Sequence, residues 1–153
     1  MKKLRSILGW TALLIGLAVA GTIGKQIGKE MFSASKPAVD GVERQLSSAA
    51  EQINRKGPSM LDQETRIDGA TAGPGRRLTY LYTLVNHSSK DQEAIAAIHT
   101  HVKSEVAKNS CNKMKPILTA GVTVVFDYRG SDGHEMGTFD VNQSTCESLR
   151  LPS

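Results

Sequence analysis

The clearest structural pattern in this chain is the stretch Val122-Thr123-Val124-Val125-Phe126-Asp127-Tyr128-Arg129. Its even-numbered positions are all apolar or aromatic, whereas its odd-numbered positions are Thr, Val, Asp and Arg. This alternation is typical of a strand with one buried face, because successive side chains of a strand point to opposite faces. Turn residues follow at Gly130-Ser131-Asp132-Gly133, and residues 134–142 predict a returning strand. The sequence therefore predicts a hairpin over residues 122–142, with Val124 and Phe126 facing inward.

A helix is predicted before this hairpin. Ser89 and Gln92 match a capping box at its start, and the residues from Asn109 to Asn112 end it. Its apolar stripe recurs at helical spacing and consists of Ile95, Ile98, Val102 and Val106. A small domain can bury two apolar faces only by packing them together. We therefore expect the stripe around Ile98 and Val102 to pack against the apolar face of the hairpin.

The same order of helix and hairpin occurs once earlier in the chain. Residues 38–56 predict an amphipathic helix that ends before Gly57-Pro58. Residues 60–86 predict a hairpin, because Gly73-Pro74-Gly75 is a turn sequence and Leu78–Val85 is rich in aromatic and β-branched residues. We therefore expect an α+β domain in the order helix-β-β-helix-β-β. It should contain an antiparallel sheet of about four strands, with the helices on one face and no βαβ unit of the Rossmann type.

The N-terminal part of the chain predicts export. Residues 1–6 form a basic region, and Ile7–Gly24 is a run of 18 residues without charge. As a helix this run spans roughly 27 Å, which is close to the thickness of the hydrocarbon core of a bilayer. We predict a transmembrane signal anchor over residues 7–32, a linker over 33–37 and an exported domain over 38–153. The basic residues at the start favour a cytoplasmic N-terminus and a periplasmic domain.

Two interpretations of this apolar segment remain open. Ala18-Val19-Ala20 matches the small-residue pattern of a signal-peptide cleavage site, which would leave a soluble periplasmic protein. The alternative is an uncleaved anchor in the bacterial inner membrane, because small residues continue past that site at every fourth position. Such a stripe lets membrane helices approach closely, and it predicts packing against another helix or self-association. Its members are Ala12, Gly16, Ala20, Gly24 and Gly28.

The distribution of charge excludes nucleic acid as the expected partner. The net charge of the chain is +4. However, residues 1–29 contain five Lys or Arg and no acidic residue, whereas residues 30–153 contain the other 14 basic and all 15 acidic residues. A nucleic-acid-binding domain carries its basic residues as a patch on the folded surface. The basicity of this chain belongs instead to the segment that flanks the membrane.

The two cysteines, Cys111 and Cys146, lie 35 positions apart without the spacing of a metal site. In an oxidising compartment they are expected to form a disulfide. The alternative is two buried free thiols in a cytosolic protein, which the export segment disfavours.

No other motif predicts chemistry. His99 and His101 are two residues apart on a helix and point away from each other, so they cannot share a metal ion. The segment Asp62–Asp68 lacks the pattern of an EF-hand loop, and Gly73–Arg77 lacks the pattern of a phosphate-binding loop. Ser88-Ser89 lies outside a Gly-x-Ser-x-Gly sequence. We therefore predict no catalytic residue, no cofactor and no metal ligand.

Several segments together resemble a family of small exported proteins of proteobacteria that has no assigned activity. They are Thr65-Arg66, Gly73–Arg76, Leu78–Asn86, Gly121–Gly133 and the two cysteines. The resemblance covers about residues 58–147 and implies export, but no function. We expect a membrane-tethered periplasmic protein-interaction or assembly module without catalytic activity, whose partners are the membrane and a protein. The alternative is an envelope enzyme or enzyme subunit with an unrecognised cleft.

Overall fold

A computed structural model of the chain describes residues 39–149. The predicted membrane segment and linker, residues 7–37, therefore lie outside the described residues. The helices are α1 (Val39–Arg55), α2 (Gln92–Ala97), α3 (Lys103–Lys113), α4 (Lys115–Thr119) and α5 (Gln143–Ser148), and a π-helical turn over Ile98–Val102 joins α2 to α3. The strands are β1 (Ser59–Met60), β2 (Thr65–Ala72), β3 (Arg77–Leu84), β4 (Thr123–Gly130) and β5 (Glu135–Val141).

The α+β class and the order helix-β-β-helix-β-β are confirmed, but the sheet differs from the prediction. It contains five strands in the order β1-β2-β3-β4-β5 rather than about four. Three of its pairings are antiparallel, whereas β3 and β4 run parallel, with Tyr82 beside Tyr128. The expectation of an antiparallel sheet was therefore wrong for the pair of β3 and β4. The helical connection from β3 to β4 is long enough for the crossover that a parallel pair requires.

The core lies between the helices and one face of the sheet. Val124 and Phe126 are 0% and 2% exposed, and they belong to the same buried cluster as Ile98 and Val102. The predicted inward face of β4 is therefore confirmed. Aromatic rings of three neighbouring strands stack across this face, and they are Tyr80, Tyr82, Phe126, Tyr128 and Phe139.

The opposite face of the sheet is mainly polar. Thr79, Leu81 and Thr83 of β3 are half-buried there, whereas Arg129 of β4 is exposed. Val125 shares this face but is only 6% exposed, so burial on β4 does not follow the strict alternation of a strand with one solvated face. Within residues 39–149 the buried apolar cluster lies on the other face, and this face carries threonines and the ion pairs Arg66–Asp68 and Arg129–Asp127.

One edge of the sheet is closed by a side chain. The Asn54 amide of α1 donates to the Ala70 carbonyl at 2.9 Å and accepts from the Ala70 amide at 2.8 Å. The two-residue β1 pairs only with Arg66 and Ile67, and the Asn54 side chain supplies hydrogen bonds farther along the same edge of β2. A Cβ at Gly69 would lie 2.5 Å from Asn54 Oδ1, so glycine at this position leaves room for the Asn54 side chain to reach the strand. The side chain satisfies backbone groups that would otherwise lie unpaired at the edge.

The structure corrects the predicted boundaries of the second helical segment. The N-cap is Asp91, whose side chain accepts from the Ala94 amide at 3.1 Å, so the predicted capping box of Ser89 and Gln92 was wrong. The helix ends at Lys113, one residue beyond the predicted end over residues 109–112, and is followed by α4. The helix α5 was not predicted from the sequence, although a capping box between Asn142 and Thr145 closes its start.

Candidate functional site

The polar loops of the domain meet at one end of the sheet. Because β3 and β4 are parallel, the loops that leave their carboxyl ends lie side by side. The Ser131 amide donates to the His87 carbonyl at 2.7 Å and joins these two loops. The turn before β2 lies at the same end, where the Val85 amide donates to the Glu64 carbonyl at 2.8 Å. We call this region the polar end of the sheet.

A histidine at the polar end lies between two carboxylates. His87 Nδ1 shares a hydrogen bond of 2.8 Å with Asp91 Oδ2, and its Nε2 lies 3.9 Å from Glu64 Oε2. The hydrogen bond from His87 lowers the pKa of Asp91, and the bond from the Ala94 amide adds to this effect. The Asp91 carboxylate therefore both caps α2 and fixes the orientation of the imidazole.

A serine and an aspartate bridge the two loops beside this histidine. The Ser89 hydroxyl and amide both donate to Asp132 Oδ2, at 2.7 and 3.1 Å. The hydroxyl bond is the largest cause of a lowered pKa at Asp132. A Cβ at Gly130 would lie 2.8 Å from the Ser89 amide nitrogen, so glycine allows the close contact of the loops. Ser89 thus connects loops and does not cap the helix.

The chemistry of nucleophilic catalysis requires a hydroxyl held within hydrogen-bond reach of a base. In the described part of the chain, the Ser89 hydroxyl is bonded to Asp132 and the His87 ring is bonded to Asp91. Neither contact joins the serine to the imidazole. The polar end therefore contains the residue types of an acid–base site without the relay between them.

The remaining histidines do not assemble a metal site. His99 and His101 are both exposed on the π-helical turn, and His134 Nδ1 lies 3.1 Å from the Asp132 carbonyl in the β4–β5 turn. Within residues 39–149 no group of three or more His, Cys, Asp or Glu side chains is placed to hold a metal ion.

The glycine-rich turn of the first hairpin has a structural partner. Arg76 Nη1 donates to the Ala120 carbonyl at 2.8 Å, and the Thr123 amide donates to the Arg76 carbonyl at 2.8 Å. These bonds tie the turn between β2 and β3 to the start of β4. The arginine therefore joins two chain segments at the end of the sheet opposite the polar end.

The two cysteines are bonded to each other. The Cys111–Cys146 disulfide connects α3 to α5, and its Cα atoms are 5.5 Å apart. Cys111 is part of the core, whereas Cys146 is packed at its margin. The bond therefore ties the last helix of the described chain to the helical layer that covers the sheet.

The stripe of small residues from Ala12 to Gly28 lies outside the described residues, so no contact of it is described. From residue 39 to residue 149, none of the helices combines the length and the apolar character needed to cross a bilayer.

Comparison with known proteins identifies a shared fold. No protein-family model and no curated protein sequence matches this chain. Among solved structures, a protein of Pseudomonas aeruginosa described as secreted has 14% identity and a TM-score of 0.60, with 74% of this chain and 97% of that chain covered. The type II secretion system pilotin AspS of Vibrio cholerae has 16% identity and a TM-score of 0.53, with coverage of 71% and 94%. The type 2 secretion system pilotin EpsS of Vibrio vulnificus has 13% identity and a TM-score of 0.57, with coverage of 75% and 96%.

Proposed function

We propose that this chain is an envelope protein that binds another protein and contributes to the assembly of a complex, without catalytic activity. The observation that carries the proposal is the fold shared with two type II secretion system pilotins, of which this chain covers 94% and 96%. The Cys111–Cys146 disulfide supports an oxidising compartment such as the periplasm. The expected partner is therefore a protein of a secretion system or of another envelope complex.

The N-terminal segment supplies the tether in this proposal. A single-pass helix over residues 7–32 would leave the N-terminus in the cytoplasm, and a linker over residues 33–37 would connect it to the periplasmic domain. The stripe from Ala12 to Gly28 would pack against another membrane helix. Cleavage after Ala20 is the alternative, and it would release a soluble periplasmic domain.

The proposal is tested with the full-length chain in its native host. The tagged chain is crosslinked in cells and purified from the membrane fraction, and the gene is deleted in a parallel strain. We expect one envelope protein to be retained after crosslinking, and the complex containing that protein to fail to assemble in the deletion strain. Intact assembly of that complex without the chain would contradict the proposed role.

The alternative of an envelope enzyme rests on one observation at the polar end of the sheet, where His87 is oriented by Asp91 and lies beside Glu64. The two functions are separated by complementing the deletion strain with the variants His87→Ala and Ser89→Ala. If the chain is an assembly module, both variants should restore assembly of the complex, since neither side chain belongs to the core. Loss of function in a variant whose circular dichroism is unchanged would favour the enzyme.

The membrane tether has its own test. We expect Gly16→Leu with Gly24→Leu to weaken crosslinking between membrane helices, because larger side chains hold the backbones apart. The matched control, Leu13→Ile with Leu17→Ile, changes neither size nor polarity in the same segment. An N-terminus mapped to Gly21 in mature protein would instead establish cleavage.

A further inference from the structure

The strand β5 forms one edge of the sheet. It pairs only with β4 among the described strands, so one of its two hydrogen-bonding sides faces away from the sheet. The opposite edge differs, because the Asn54 side chain bonds to the backbone of β2 there. An edge strand with unpaired backbone groups is a template for pairing with a further strand.

The bonds of β4 show which backbone groups of β5 face outward. The Thr123 amide donates to the carbonyl of the residue before β3, so the odd-numbered residues of β4 bond towards β3. Successive residues of a strand direct their backbone groups to opposite sides, so the even-numbered residues of β4 bond towards β5. Phe126 is one of these, and its partner on β5 is Phe139. By the same alternation, the amides and carbonyls of Thr138 and Asp140 point away from the sheet.

These outward groups are accessible. Thr138 and Asp140 are exposed, whereas Gly137, Phe139 and Val141, which bond towards β4, are buried. Within residues 39–149, no loop and no side chain bonds to the backbone of Thr138 or Asp140. The edge therefore presents two donors and two acceptors in a row.

The side chains along this edge are acidic. Glu135 and Asp140 are exposed, and neither belongs to an ion pair within the described part of the chain. Residues 130–149 contain four acidic residues and no Lys or Arg. Pairing with a second copy of β5 would bring acidic side chains together, and like charges across a strand pair are unfavourable. The charge of the edge therefore favours a strand with basic side chains.

We propose that β5 binds an extended, basic segment of the protein partner as an additional strand of the sheet. This inference rests on the proposed function, because it identifies the surface that holds the partner. The segment exchanges main-chain hydrogen bonds with Thr138 and Asp140, as in other cases of β-strand addition. Every second side chain of the segment is Lys or Arg and lies on the polar face of the sheet, beside Glu135 and Asp140.

The helical side of the edge determines the other side chains of the segment. The π-helical turn Ile98–Val102 packs on β5, where a Cβ at Gly137 would lie 2.8 Å from Ile98 Cγ2 and 3.4 Å from His99 Cε1. A strand added to β5 therefore has its alternate side chains beside this turn, in a half-buried position. Such a position favours uncharged residues, so the segment alternates between basic and apolar residues.

The first test is hydrogen exchange of backbone amides, measured by NMR on the full chain in mild detergent. The probe is a synthetic heptapeptide of alternating lysine and valine. In the free chain, the amides of Thr138 and Asp140 should exchange at least about tenfold faster than those of Phe139 and Val141. Saturating peptide should slow the two outward amides by about tenfold or more, whereas a heptapeptide of alternating glutamate and valine should leave them unchanged. Unchanged exchange in the presence of the lysine peptide would overturn the proposal.

The variant Thr138→Pro separates strand addition from attraction by charge alone. Proline removes the outward amide but leaves the bonds of β5 to β4, because an edge strand accepts proline where its N–H faces solvent. Binding of the labelled lysine peptide, measured by fluorescence anisotropy, should weaken about five- to tenfold. Thr138→Val keeps the amide and should bind as the wild type does. Equal binding by Thr138→Pro would overturn the proposal.

If circular dichroism shows that Thr138→Pro does not fold, the peptide is changed instead of the chain. Methylation of alternate backbone nitrogens removes the donors on one side of the lysine peptide, and methylation of the intervening nitrogens removes those on the other side. One of the two peptides should bind about five- to tenfold more weakly than the unmodified peptide. Unweakened binding of both peptides would overturn the proposal.

Reversal of charge tests the chemistry of the segment. Glu135→Lys with Asp140→Lys should reverse the preference, so that the glutamate peptide binds more tightly than the lysine peptide at low ionic strength. Glu43→Lys with Glu51→Lys is the matched control, because it changes the net charge equally at exposed positions of α1. A retained preference for the lysine peptide in the β5 variant would overturn the assignment of a basic segment. A wild-type dimer that Thr138→Pro converts to a monomer would identify a second copy of the chain as the occupant and would reject the basic segment.

Crosslinking in the native host separates this inference from the proposed function. Loss of the retained protein in cells with Thr138→Pro, but not in cells with Thr138→Val, would support β5 as the surface that binds the partner. Retention of that protein by Thr138→Pro would overturn this inference and leave the proposed binding of a partner intact. Failure of the wild-type chain to retain any protein would contradict the proposed function itself.

Discussion

Replacing Phe126 by alanine should destabilise the domain more than any change on the polar face of the sheet. Phe126 is 2% exposed, and its ring centroid lies 5.8 Å from that of Tyr80 and 5.5 Å from that of Phe139. A buried aromatic removes about 150–250 Å² from water, which corresponds to about 4–6 kcal/mol. Truncation to alanine typically costs about 3–5 kcal/mol, because a cavity remains between the neighbours. This is a large share of the roughly 5–15 kcal/mol that stabilises a small domain.

The matched control is Arg129→Ala on the other face of the same strand. Arg129 forms an ion pair with Asp127 at 3.2 Å, but its side chain is 51% exposed, so the loss should stay below about 0.5–1 kcal/mol. A urea titration of a fragment that begins at Ser35, followed by circular dichroism, measures both variants. Phe126→Leu, with an expected loss of about 1–1.5 kcal/mol, replaces the alanine variant if that one does not fold. Equal losses for the Phe126 and Arg129 variants would refute the assignment of the two faces of β4.

Three further perturbations test the contacts that hold the elements together. Replacing Cys111 and Cys146 by alanine should lower stability by roughly 3–4 kcal/mol, the chain-entropy value for closing a loop of this length; a urea midpoint equal to that of the wild type would contradict this. The hydrogen bond from His87 lowers the pKa of Asp91, so the ionised carboxylate stabilises the folded state. This stabilisation is fully present above the unfolded pKa of about 3.9 and is lost as pH falls through the lower folded pKa. Asp91→Asn preserves a cap acceptor and should therefore flatten the pH dependence of the free energy of unfolding below about pH 4; an unchanged slope would exclude this contribution. Asn54→Ala leaves two backbone groups of the sheet edge unpaired and should cost about 1–3 kcal/mol in the same titration, whereas no loss would show that solvent replaces the amide.

Part of the polar end of the sheet could have been found from the sequence. Asp91 is an acceptable N-cap residue, but Ser89 with Gln92 matches the full capping box, so the local pattern favoured the wrong residue. The structure separates them because Ser89 is bonded to Asp132, which is 43 positions away in the sequence. His87 and Glu64 likewise meet only through the pairing of strands. No short-range pattern carries such information.

The class of the domain, the order of its main elements and the inward face of β4 were all predictable from the amino-acid pattern. These properties follow from local periodicity, because the spacing of apolar residues depends only on the helix or strand that contains them. The parallel direction of β3 and β4 was not predictable in this way, since a parallel and an antiparallel pair bury the same face of each strand. The parallel arrangement brings the loops after Leu84 and Gly130 to one end of the sheet, and it thereby places His87, Ser89 and Asp132 together. The position of these side chains depends on contacts between distant parts of the chain, which the sequence of each part does not encode separately.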